Sequence, residues 1–141
     1  MRKREQGFTL LELLVLLTLI GITVSLLSLR MTGLINFYRL RVSTNTVISS
    51  LYKCKQLAIT KYSPYVTKLI ESNKLVIYKK DTTEYIDEIE LELGITATQT
   101  RNINFYPLGT AWSGSITLLD CQGNSYKVVV SSSGRIRCEK L

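Results

Sequence analysis

Hydrophobic and polar positions divide the chain into three regimes. From Phe8 to Leu29 almost every side chain is apolar or small, and Glu12 is the one charge. A run of about 22 such residues is long enough to cross a bilayer as a helix. From Arg30 to about Tyr62 the pattern becomes amphipathic. Leu40, Thr44, Val47, Leu51, Cys54 and Ala58 recur at spacings of three and four, the mark of one helical face. Arg39, Arg41, Lys53, Lys55 and Lys61 fall mostly off that face. Ser63-Pro64 stops the helix, because the residue before a proline is pushed out of the helical region. One helix of about 50 residues is therefore expected, softened at Gly21 and Gly33.

After Pro64 the period switches to two. Strands are expected over Tyr65–Ile70 and Leu75–Lys79, around a turn at Glu71-Ser72-Asn73. In Asp87–Leu93 the residues Ile89, Leu91 and Leu93 alternate with Glu88, Glu90 and Glu92, which predicts a half-buried strand with an acidic outer face. Short strands follow over Ile103–Tyr106, Ser115–Leu119, Ser125–Val130 and Arg135–Cys138. Gln122-Gly123-Asn124 and Ser132-Ser133-Gly134 punctuate them as hairpin turns, since glycine adopts positive φ at little cost. The pattern predicts an α+β protein: a long N-terminal helix lying as a lid on a C-terminal antiparallel meander.

Composition narrows the chemistry. There are 141 residues, with no His, three Cys, one Trp and a formal net charge of +7. About 80 residues remain for the β-domain, enough for a modest core only. The basic balance favours polyanions or acidic surfaces as partners without choosing between them. Zinc sites of the usual spacing are excluded by the missing His and scattered Cys, and no metal or cofactor is expected. The chain has no GxxxxGK[ST], HExxH, GxSxG or GxGxxG string, so it is not read as an enzyme.

The N-terminal string is the sharpest motif. Arg2-Lys3-Arg4 precedes Gly7-Phe8-Thr9-Leu10-Leu11-Glu12, with the apolar run behind it. A carboxylate near the centre of a bilayer costs roughly 2.5–3.5 kcal/mol, so an acid in such a run asks for a partner. A plain signal anchor is the alternative reading. The string resembles the class III signal of type IV pilins and type II secretion pseudopilins. That resemblance implies a type IV pilin-like fold and a membrane prepilin peptidase that cleaves between Gly7 and Phe8 and N-methylates Phe8. It implies residues 1–7 as leader, 8–29 as transmembrane and filament-core helix, 30–62 as amphipathic helix and 63–141 as the β-domain. Removing the leader takes away three positive charges and one negative, leaving about +5. Glu12 would then pair with the new amine of Phe8, in its own subunit or a neighbour, and fix assembly register. Many family members carry a proline where Leu29 stands, so no proline kink is expected there. The implied location is the inner membrane, crossed once with the N-terminus cytoplasmic and the C-terminal domain periplasmic, and later a filament of other pilins or pseudopilins.

The second motif is Gly134-Arg135-Ile136-Arg137. On a strand, Arg135 and Arg137 share one side, about 6.5–7 Å apart, a spacing that bridges successive phosphates. It resembles the C-terminal GRxR of FimT-type minor pilins in the GspH/FimT family. The resemblance implies double-stranded DNA as partner and DNA uptake in natural transformation as function. Lys127, Lys140 and Arg101 are candidate extensions of the patch, and Gly134 is expected to keep the approach open. Two other readings stand beside it: charged edge residues that suppress strand pairing, and a GspH-like minor pseudopilin of a type II secretion filament.

Cys54 lies on the apolar helix face and is expected to be a buried thiol. Cys121 and Cys138 flank the last strands in a compartment that permits a bridge, which in the chain-entropy model contributes about 3 kcal/mol. In a simple meander their ends sit two strands apart, near 10 Å, beyond reach unless the tail folds over. Trp112 is read as a plug at a core edge, with an exposed aromatic stacking on bases as the alternative. Tyr62, Tyr65 and Tyr106 are read as packing residues.

Overall fold

The structure is a computed structural model that describes residues 9–82 and 85–141, without the side chains of 27–32. Helix α1 runs Leu10–Thr60. Thr9 starts it. Its Oγ1 accepts the amide of Glu12 at 3.3 Å, and Thr9-x-x-Glu12 is the spacing of a capping box, with an acid in the first turn where the helix dipole favours it. Two units divide at Ile35/Asn36.

In the first unit the described apolar side chains from Leu10 to Leu26 are all exposed. Thr18 and Thr23 return their hydroxyls to the carbonyls of Val15 and Ile20 at 2.8 Å, so these polar groups need no outside partner. Among the described residues no helix is long and apolar enough to cross a membrane. The described run is shorter than the roughly 20 residues a spanning helix needs, and Phe8 and the side chains of 27–32 lie outside it.

The second unit holds the rest of α1 and all the strands. The expected helical face is buried: Leu40, Val47, Leu51, Cys54 and Ala58 are fully enclosed, and Thr44 satisfies its hydroxyl on the Leu40 carbonyl. The helix ends two residues before Tyr62. Tyr62 takes φ 51° and the Ser63 amide reaches the Ala58 carbonyl at 3.3 Å, a C-terminal cap of the Schellman kind made without glycine. Tyr62 itself is exposed, contrary to its reading as a packing residue.

Strands β1 (Tyr65–Ile70), β2 (Lys74–Lys79), β3 (Tyr85–Glu90), β4 (Ile95–Gln99), β5 (Ile103–Phe105), β6 (Gly114–Asp120), β7 (Ser125–Val130) and β8 (Ile136–Lys140) follow. They form two four-stranded sheets, β3-β2-β1-β5 and β4-β6-β7-β8, where the pattern had predicted one meander. The three-residue β5 makes the difference: it leaves the local order and pairs Phe105 with Tyr65 and Ile103 with Thr67. Gln99 of β4 joins the sheets by bonding the backbone of β1 at Leu69 and Thr67. One core lies between the helix face and both sheets, centred on Leu75, Ile77, Ile103, Phe105, Ile116, Leu118, Val128 and Val130.

β4 is a strand the sequence reading passed over, although Ile95 and Ala97 alternate inward. β3 begins and ends earlier than expected. Leu91 is buried just beyond its end, and Leu93 is exposed rather than facing the core. Its acids are engaged: Lys53 on the helix meets Asp87 at 2.7 Å, and Lys74 holds Glu88 and lies 3.8 Å from Glu90.

Register settles the cysteines. Cys138 pairs with Val128, which pairs with Ile116 on β6, whereas Cys121 lies in the turn beyond Asp120. The two thiols are thus two strands apart and about five residues out of line, and the expected bridge is corrected: all three cysteines are free. Cys121 instead accepts the Asn36 side-chain amide at 3.3 Å.

Candidate functional site

Gly7 and Phe8, the expected cleavage pair, lie outside the described residues. Glu12 stands in the first turn of α1, exposed, with its backbone amide held by Thr9. Among the described residues its carboxylate has no ion pair. Thr9 is a residue the sequence reading missed, although the T-x-x-E spacing ahead of an apolar run announces it.

At the other end of the chain, the GRxR segment is built by one turn. Gly134 has φ +72°, and its amide donates to Ser131 at 2.9 Å. Ser131 in turn donates its amide to the Arg135 carbonyl and accepts the Arg135 amide on Oγ. The turn docks on a second one: a Cβ at Gly134 would lie 2.0 Å from the carbonyl oxygen of Gly109. Lys55 on α1 completes the clamp by donating from Nζ to the Gly134 carbonyl at 2.9 Å. Gly134 is therefore buried, and its glycine is required by backbone against backbone rather than by an approaching ligand.

Beyond the turn, β8 is the edge strand of its sheet. Arg135 and Arg137 are exposed and line a shallow groove with Val129, Ser131, Ser133 and Glu139. Register sorts the other candidates. Lys127 lies opposite Glu139 on the same face, so an acid stands beside the arginines. Lys140 lies opposite Tyr126, on the reverse face, and does not join the patch. Arg101 belongs to a different groove, with Lys80, Asn104 and Trp112. Trp112 is 56% exposed, so it is no core plug; its amide donates to the Asn104 carbonyl and Lys80 Nζ stands 5.7 Å from its ring. Tyr65 does pack in the core.

Two further titratable groups, Cys54 and Asp120, are structural. Burial pushes the Cys54 thiol up to about 11. Burial also pushes the Asp120 carboxyl up, but hydrogen bonds from Asn124, Gln122 and Gly123 outweigh it and hold the group below the usual carboxylate range. Among the described residues no cluster of acids and thiols could hold a metal ion.

Three comparisons bear on these features. The family described as the prokaryotic N-terminal methylation motif matches residues 2–28. No curated protein matches the chain. Among solved structures, the minor pseudopilin EpsH from the type 2 secretion system of Vibrio cholerae superposes with a TM-score of 0.60 at 10% identity, covering 72% of this chain and 97% of that one. The type IV minor pilin FimU of Pseudomonas aeruginosa gives 0.60 at 13% identity, covering 71% and 92%. The chain thus carries a prepilin-type N-terminal methylation motif on a type IV pilin-like fold.

Proposed function

We propose that the chain is a minor type IV pilin that binds double-stranded DNA through Arg135 and Arg137 and serves DNA uptake in natural transformation. The apolar helix carries the filament half of this reading. Leucines, isoleucines and valines from Leu10 to Val24 are about half to four-fifths exposed, and so large an apolar surface requires lipid or other helices around it. Residues 8–29 anchor the protein in the inner membrane, prepilin peptidase removes residues 1–7 and methylates Phe8, and the same helix then enters a filament with other pilins. Glu12 pairs there with the Phe8 amine, because an unpaired carboxylate among packed helices is costly.

The exposed arginine face supports the DNA half. Two guanidiniums about one strand repeat apart contact successive phosphates, with no demand on sequence and with strong sensitivity to salt. The full-length chain in detergent should retard duplex DNA of any sequence at low salt and release it as salt rises. Changing Arg135 and Arg137 to Gln should weaken all duplexes alike; no binding at low salt would refute this half.

A second reading is a GspH-like minor pseudopilin, a structural part of a type II secretion filament. Glu139 in the arginine groove and the edge position of β8 favour it, since edge charges also discourage strand pairing. Failure of the DNA assay alone moves this reading ahead while leaving the filament half standing.

A further inference from the structure

On the outer face of the first sheet, away from the helix, lies a groove that the arginine strand does not share. Tyr78, Val66 and Asn104 stand in one row across three strands, by the pairings Val66 with Tyr78 and Val66 with Asn104. That row is about 10 Å wide. Trp112, Arg101 and Lys80 border it, and the Lys80 side chain reaches the Trp112 ring. Beyond Tyr78 the groove continues past Lys68 to Tyr85, whose ring meets Tyr78 edge to face at 6.3 Å.

Three properties of this surface select a ligand. First, Lys68, Lys80 and Arg101 are in no ion pair among the described residues, while the acids Glu88 and Glu90 on the same sheet face are occupied by Lys74. Among the described residues, Asp81 is the one acid lining the groove. The balance favours an anion. Second, the aromatics are presented rather than packed: Trp112 and Tyr85 are exposed, and the cation of Lys80 lies over the indole ring at 5.7 Å, a place it yields to a stacking base as it turns to a phosphate. A polyanion without rings makes no use of them. Third, the amide oxygen of Asn104 is buried on the groove floor without a hydrogen-bond partner among the described residues. A buried acceptor without a donor is a standing cost to the free protein, relieved when the side chain turns outward to meet a ligand N–H.

An anionic chain that carries flat rings with N–H edges is a nucleic acid with unpaired bases. In a duplex the base faces are already stacked and the ring surfaces are closed to Trp112. We propose that this groove binds single-stranded nucleic acid, with an unpaired base stacked on Trp112, flanking phosphates on Lys80 and Arg101, and Asn104 accepting from a base edge. It is a second site, independent of Arg135 and Arg137.

The test uses the full-length chain in detergent micelles and its single tryptophan. A twelve-residue oligo(dT) should quench Trp112 fluorescence in a saturable, salt-sensitive way. The matched duplex and polygalacturonate, an acidic polysaccharide, should need at least tenfold higher concentrations. Changing Lys80 and Arg101 to Gln should raise the midpoint at least tenfold with an unchanged circular dichroism spectrum, since Lys80 and Arg101 are exposed. Changing Arg135 and Arg137 to Gln should leave it within twofold. Asn104→Leu should weaken the quench several-fold without lowering the melting temperature, an outcome a merely structural asparagine does not give. Absence of quenching by oligo(dT) at low salt overturns the proposal. So does an equal midpoint for the duplex or the polysaccharide, or loss of the quench on removing Arg135 and Arg137.

Discussion

Changing Gly134 to Ala tests how the C-terminal turn is built. Alanine at φ +72° carries the left-handed penalty of an L-residue, about 1–2 kcal/mol. Its Cβ would also stand 2.0 Å from the Gly109 carbonyl oxygen, where ordinary contact begins at 3.4 Å, so two backbone turns must separate. Separation stretches the Lys55 bond to the Gly134 carbonyl, a charged hydrogen bond in the class of about 1.5–3 kcal/mol. The expected loss is about 3–5 kcal/mol in all. Gly123→Ala is the control. Gly123 has φ +88° and nothing within 4 Å of a built Cβ, so it carries the conformational penalty alone, about 1–2 kcal/mol. The assay is denaturant unfolding of both variants and the parent in detergent, followed by Trp112 fluorescence. Equal destabilisation by the two substitutions would refute the docking argument, because only Gly134 faces another backbone.

Further expectations follow from the same contacts. Glu12→Ala should be processed normally yet be missing from sheared filaments on immunoblot; normal incorporation contradicts the pairing role. Asp120 has its folded pKa lowered, so its stabilisation is complete above the unfolded value of about 3.9 and is lost as pH falls through the folded value. The stability gap between the parent and Asp120→Asn should therefore be level above about pH 5 and close in more acidic solution, and a gap that stays level down to pH 2 contradicts this. Maleimide at neutral pH should add to Cys121 and Cys138 in the folded protein and to Cys54 only in denaturant, as its thiol is buried with a pKa of about 11. Intact mass counts the adducts; none without reductant would mean a bridge.

What the sequence disclosed was whatever depends on neighbours a few residues apart. Leu40, Val47, Leu51, Cys54 and Ala58 announced their face because helical spacing is local, and all are buried. Gly123 and Gly134 announced turns for the same reason. Failures came where distant segments decide. β5 is too short to signal that it crosses to the first sheet, and β4 has only Ile95 and Ala97 to declare it. The reason for Gly134 lies at Gly109 and Lys55, remote in the chain, so the glycine was legible and its purpose was not. Trp112 reads as core by composition, yet the paired turns around Ala111 and Ser132 carry it outward. The cysteines needed the β6–β7–β8 register, which no spacing rule supplies. For the basic patch, alternation alone grouped Arg135 with Arg137, but register separated Lys140 and brought Glu139 in.

The N-terminal end of the mature chain is the most direct measurement. Intact mass and N-terminal fragmentation of the protein, recovered from membranes that contain prepilin peptidase, should give a chain beginning at Phe8 and bearing one added methyl group on its amine. A chain that begins at Met1, or at any residue after Leu29, contradicts the filament-subunit account.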